Sequence, residues 1–110
     1  MNVVRKSLEE SWGKMSLVEQ MGNIGSEVGR AARAQGQKDE SFSGATTRAL
    51  ELFDLTLRDK RWLGRLREIG RVREIFCDIV FGNQKYQTTL LDLEKYFMNF
   101  AIVARLQALK

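Results

Sequence analysis

Apolar residues recur along this chain with the spacing of helices, and polar turn signals separate them. The clearest period lies in residues 61–81, where Trp62, Leu66, Ile69, Phe76 and Val80 follow a 4-3-7-4 spacing, one face of an α-helix. Arg73 occupies the position that should complete this stripe between Ile69 and Phe76. Upstream, Leu17, Met21, Ile24, Val28 and Ala31 form the inward line of a helix from about Leu17 to Gln35. Ser16 and Glu19 stand in front of it in the arrangement of a capping box. A helix from about Phe42 to Arg58 follows, with Phe42, Ala45, Ala49, Leu52, Phe53 and Thr56 inward. Asp59-Lys60 reads as a tight turn into the 61–81 helix, and Gly82 suits the position just past that helix's end. Thr89 and Asp92 form a second capping arrangement, opening a helix from about Leu90 to Leu106 with Leu90, Leu93, Phe97, Phe100, Ala101 and Ala104 inward.

Two further patterns bear on packing. Gly22, Gly25 and Gly29 lie on one shoulder of the 17–35 helix, where each glycine costs about 1 kcal/mol relative to alanine. Such a shoulder suits the close approach of another backbone, within the chain or from a second copy. The last helix carries a second apolar stripe, Leu91, Met98, Ile102 and Leu109, turned away from its inward face. A helix that is apolar on two faces has two partners. The stripe and the glycine shoulder are therefore the candidate self-association surfaces, and a homodimer is expected.

The predicted fold is all-α: an antiparallel up-down four-helix bundle over residues 16–110, with residues 1–15 as an extra short helix or arm outside it. Val4, Leu8, Trp12 and Met15 give that arm a short, drifting stripe, and Met15 is an alternative starting residue. Composition agrees with helices. The 110 residues include no proline, which strand-rich and loop-rich folds use at edges and turns. No run is long and apolar enough to span a bilayer, charges interrupt the first fourteen residues where an export signal would be apolar, and the lone cysteine fits a reducing compartment. A cytoplasmic protein with no membrane partner is expected.

Charge adds one candidate site. The net charge is +4, and residues 60–82 hold six basic and three acidic residues, whereas residues 38–59 hold three basic and five acidic. Lys60, Arg61, Arg65, Arg67 and Arg71 form a candidate anion-binding face, which makes a basic adaptor for nucleic acid the alternative function. Glu68, Glu74 and Asp78 dilute that face, and ion pairs such as Glu68–Arg71 and Arg71–Glu74 account for it more simply. Arg73 needs a partner if it is buried, and Glu27 and Asp54 are the candidates for a core ion pair.

Catalytic chemistry finds little footing. The chain has no histidine, so histidine-based nucleophile pairs, di-iron sites and zinc sites lose their central residue. The same lack excludes helical nucleotide-binding and ribonuclease-like families built on an Arg…His motif. Cys77 falls at the edge of an apolar arc and reads as a small hydrophobe. Glu51 with Asp54, and Glu74 with Asp78, are spaced as pairs that could hold Mg²⁺ against phosphates, as in all-α nucleotide pyrophosphatases. The Glu-Glu-x-x-Glu run of those enzymes is missing, and a Mg²⁺-dependent hydrolase stays a remote alternative. No cofactor or metal is expected.

The runs Arg48-Ala-Leu-Glu-Leu-Phe-Asp-Leu-Thr-Leu-Arg58 and Gly64-Arg-Leu-Arg-Glu-Ile-Gly-Arg-Val-Arg-Glu-Ile-Phe-Cys-Asp78 resemble short prokaryotic helical-bundle proteins that carry no assigned activity. The resemblance spans about residues 16–104 and implies a compact bundle in a prokaryotic cytoplasm. It brings no catalytic residue. The leading expectation is a non-enzymatic interaction or scaffold module that self-associates.

Overall fold

The structure is a computed structural model that describes residues 3–37, 39–82 and 85–109, with side chains from Ser7 onward. Five α-helices and one 3-10 segment account for most of it, and the described residues contain no strand. The helices are α1 (Val3–Gly13), α2 (Leu17–Ala34), α3 (Ser41–Leu57), α4 (Leu66–Val80) and α5 (Leu90–Ala108). None is long and apolar enough to cross a membrane among the described residues.

Both capping boxes form. The Glu19 amide donates to Ser16 Oγ at 3.1 Å, and the Ser16 amide donates back to Glu19 Oε1 at 3.0 Å. Thr89 and Asp92 make the same reciprocal pair at 3.1 Å each. These bonds satisfy amides that the first turn of a helix leaves without partners. The turns after α2 and α4 depend on glycine: Gly36 and Gly82 have φ of +86° and +80°, values an L side chain resists.

The core joins α1 to α5. Phe53 of α3 lies at its centre, with ring centroids 5.8 Å from Phe76 of α4 and 6.0 Å from Phe97 of α5. Met21, Ile24, Val28 and Ala31 of α2 close it from the other side. Contacts along α2 set its relation to its neighbours. Its first turns meet the segment after α3 through Gln20 and Asp59, and its later turns meet Arg48 through Glu27. Against α5, Gly22 faces Ala101, Gly25 faces Phe97 and Gly29 faces Glu94.

Three expectations change here. The chain does not turn directly from α3 into one long helix. Lys60–Arg65 forms a 3-10 segment and α4 begins at Leu66, so Trp62 lies outside the α-helical stripe in a non-helical backbone conformation. The reason is a local competitor: Asp59 accepts the Arg61 amide at 3.0 Å and caps the 3-10 turn. The inward line of α4 therefore runs Ile69, Val72, Phe76, and Arg73 stands beside it. The N-terminal arm does not lie wholly outside the core either. Trp12 is 3% exposed in the shared core, and its indole N–H donates to Thr56 Oγ1 at 2.9 Å. The expected stripe residue Val4 has a side chain outside those described, as do Lys38, Asn83, Gln84 and Lys110.

A buried amide secures this corner. Gln20 is fully buried in α2. Its Nε2 donates to the Trp12 carbonyl at 2.8 Å and to Asp59 Oδ2 at 3.2 Å, and its Oε1 accepts the Trp62 indole N–H at 2.9 Å. Every polar atom of the side chain is matched, which removes the penalty of burying it.

Candidate interaction surface

Most of the basic residues singled out in the sequence are occupied within the chain. Arg61 donates to Asp59 at 2.6 Å and to the Met15 carbonyl at 2.9 Å, and its guanidinium lies 4.4 Å from the Trp62 ring centroid. Arg65 pairs with Glu68 at 2.8 Å, in place of the expected Glu68–Arg71 pair. Arg71 is directed over the Tyr86 ring at 5.8 Å, and Glu74 accepts the Tyr86 hydroxyl at 3.0 Å, so the Arg71–Glu74 pair is also replaced. Lys60 and Arg67 are exposed and make no ion pair among the described residues. The face is thus a set of local pairs with two cations between them.

Arg73 donates from Nε to Asp54 Oδ1 at 3.0 Å, with both side chains substantially exposed, so this is a surface pair between α4 and α3. Glu27 takes no part in it. Its carboxylate is buried and accepts from Arg30 of its own helix and from Arg48 of α3 at 3.1 Å. The correction follows from helix rotation: Glu27 meets α3 at Arg48, whereas Arg73 meets it at Asp54, six residues on and about 120° round the helix. Asp78 is likewise not on an open polar face. It is 6% exposed and accepts the Lys85 and Tyr86 amides at 2.8 and 3.1 Å, holding the connection into α5. Among the described residues no three Cys, Asp or Glu side chains converge as a metal would require. Cys77 is half-buried, with its sulfur 3.7 Å from Arg73 Nη1.

The glycine shoulder is used inside the chain. A β-carbon at Gly22 would meet Ala101 Cα at 3.3 Å, one at Gly25 would overlap Phe97 Cβ, and one at Gly29 would overlap the Glu94 carboxylate. Gly22, Gly25 and Gly29 therefore admit α5 within the chain. The close approach is helped by Arg33, which pairs with Glu94 at 3.0 Å.

What remains open is the outer side of α5. Leu91, Met98, Ile102 and Leu109 are exposed, and Val103 and Leu106 join them, with relative exposures from 42% to 78%. Beyond Phe97 no residue of α5 is fully buried, so its last three turns lie on the surface of the core. The helix is nevertheless held firmly at its other end. Tyr96 donates its hydroxyl to Glu68 at 3.0 Å and stacks edge-on against Phe97 and Phe100. Burial and the neighbouring Glu68 carboxylate push the Tyr96 phenol up to about 12, so it remains a donor at neutral pH. Beside the stripe, α2 and α5 bound a groove of about 230 Å³ with Gly25 and Phe97 in its lining, Met98 on the α5 side and Arg30 and Arg33 on the α2 side.

Comparison of the chain with protein-family models, with curated proteins and with solved structures gave no match. The outer α5 face thus stands on its own geometry. Leu106 could have been added to it from the helical wheel, since it lies opposite Phe97 on α5. Gln20 was also legible in part: it is three residues after Leu17 and four before Ile24, on the inward side. Asp78 had no such signal, because it is opposite Ile69 on α4 and its carboxylate is met by the Lys85 and Tyr86 amides of the following segment.

Proposed function

We propose that this protein is a non-enzymatic protein-interaction module in which α2–α5 act as an antiparallel up-down scaffold and α5 offers its outer face to a partner. The observation that carries this reading is the exposed stripe Leu91, Met98, Ile102, Leu106 and Leu109 on a helix whose opposite side is anchored in the core. Exposed apolar side chains gathered on one face of a helix mark interaction sites. The resemblance to short prokaryotic helical-bundle proteins and a cytoplasmic setting belong to the same proposal. Nucleic-acid binding draws little support, because Arg61, Arg65, Arg71 and Arg73 are engaged with Asp59, Glu68, Tyr86 and Asp54.

An apolar fluorescent dye tests the surface without knowledge of the partner. The native protein should bind the dye, and the triple substitution Met98→Gln, Ile102→Gln, Leu106→Gln should remove most of that binding. The triple variant should also unfold at a temperature no lower than the parent, since these side chains contribute little to the core. Unchanged dye binding, or a large loss of stability, would sink the docking role of this face.

A further inference from the structure

The outer stripe of α5 is not uniformly apolar. Leu91, Lys95, Met98, Ile102, Arg105 and Leu109 follow one another at 4-3-4-3-4, the spacing of a coiled-coil seam. They lie within about 80° of one another on a wheel of 100° per residue. Lys95 and Arg105 are both exposed, so two cations occupy seam positions between the apolar ones. The acids nearest this line are engaged elsewhere: Asp92 caps α5, and Glu94 pairs with Arg33. Arg30 and Arg33 border the adjoining groove. The seam itself is therefore basic, whereas Arg30 and Arg33 beside it are paired with Glu27 and Glu94.

This pattern decides between partners. Two copies packed in parallel and in register would place Lys95 against Lys95 and Arg105 against Arg105. Two copies packed antiparallel about the midpoint between Met98 and Ile102 would place Lys95 against Arg105. Either arrangement brings like charges together along a seam that must lose water, and like-charge juxtaposition across an interface is strongly unfavourable. A second copy is thus poorly matched to this face, contrary to the expected homodimer. A flat membrane surface matches it no better, because Met98 borders a concave groove.

We infer that the outer face of α5 receives an acidic amphipathic helix from another protein, packed along α5 as a two-stranded seam. Its apolar line would meet Leu91, Met98, Ile102 and Leu109. Glu or Asp at the two interrupting positions would pair with Lys95 and Arg105. The seam from Leu91 to Leu109 spans about 27 Å at 1.5 Å per residue, so the partner helix needs roughly five turns.

The inference rests on the docking role of α5, and one binding experiment separates the two. Two synthetic helical peptides of about five turns would share one apolar heptad line. One carries Glu at the two interrupting positions and on the flanks; the other carries Lys there. Fluorescence anisotropy with the full chain should show the Glu peptide binding at least about tenfold more tightly at low salt, with the advantage shrinking as salt rises. The double substitution Lys95→Glu, Arg105→Glu should reverse the preference while leaving the unfolding temperature unchanged. Equal binding of the two peptides, or binding of neither, would overturn the acidic partner. Intact dye binding in that case would leave the docking role standing. A dimer by light scattering that Ile102→Gln dissociates would also overturn it, as would binding to phosphatidylserine-containing vesicles in preference to the Glu peptide.

Discussion

Gly25 of α2 lies so close to Phe97 of α5 that a β-carbon on the glycine would overlap the β-carbon of the phenylalanine. Both residues are buried, and Phe97 in turn stacks on Phe53. The glycine therefore sets the distance between α2 and α5 and, through Phe97, the fit of the central aromatic cluster. Gly25→Ala should destabilise by about 1–3 kcal/mol from overpacking, although helix propensity alone favours alanine by about 1 kcal/mol. Gly29→Ala meets the flexible ends of Glu94 and Arg33 and should cost less. Urea unfolding of the two variants checks the ranking, and a Gly25→Ala protein as stable as its parent would contradict it.

Acid should weaken the corner held by Gln20. Hydrogen bonds from the Arg61 side chain, opposed by burial and aided by the Arg61 amide and Gln20, bring the Asp59 carboxyl from its ordinary 3.8 down to about 2. A carboxyl with a lowered folded-state pKa stabilises the fold above its ordinary value. That contribution disappears as the pH falls from 3.8 through about 2. The unfolding temperature should drop across this window, and Asp59→Asn should flatten the drop. A parallel fall in both proteins would show that other carboxylates govern the acid limb.

The Arg73–Asp54 pair should matter little for stability. Both side chains are partly in water, and exposed ion pairs contribute less than about 1 kcal/mol. Arg73→Ala should accordingly shift the chemical-denaturation midpoint only slightly. A loss on the order of 3 kcal/mol would instead mark a buried, indispensable charge.

Residues 1–14 should count toward the stability of the fold. A chain beginning at Met15 lacks Trp12, whose ring fills the core and whose indole and carbonyl bond to Thr56 and Gln20. Removal of a buried tryptophan costs about 3–5 kcal/mol. Trp12→Ala in the full chain should reproduce most of the loss. A truncated chain with the parent's unfolding free energy would show that α1 adds nothing to the core.

Much of the helix layout was legible because its signals are local. The Ser16–Glu19 and Thr89–Asp92 boxes act over three residues, and the periods of α2 and α5 repeat within single helices. The inward line of α4 is legible at Ile69 and Phe76 for the same reason. Trp62 is not part of that helical period, because Asp59 diverts the backbone into a 3-10 turn, and the buried line also takes in Val72. Arg73 looked anomalous only against the longer period.

The sequence by itself determined where α2 and α5 start, most of the inward lines of α2, α3 and α5, and that α5 is apolar on two sides. Those properties follow from backbone geometry and hydrogen bonds between residues three or four apart. Tertiary structure alone decided that the glycine shoulder is filled by α5, that Glu27 meets Arg48 and not Arg73, and that Asp78 is covered. Each depends on how one helix is rotated and placed against another, which no period within a single helix contains. The same placement leaves the outer side of α5 in solvent, with Lys95 and Arg105 set in its apolar line.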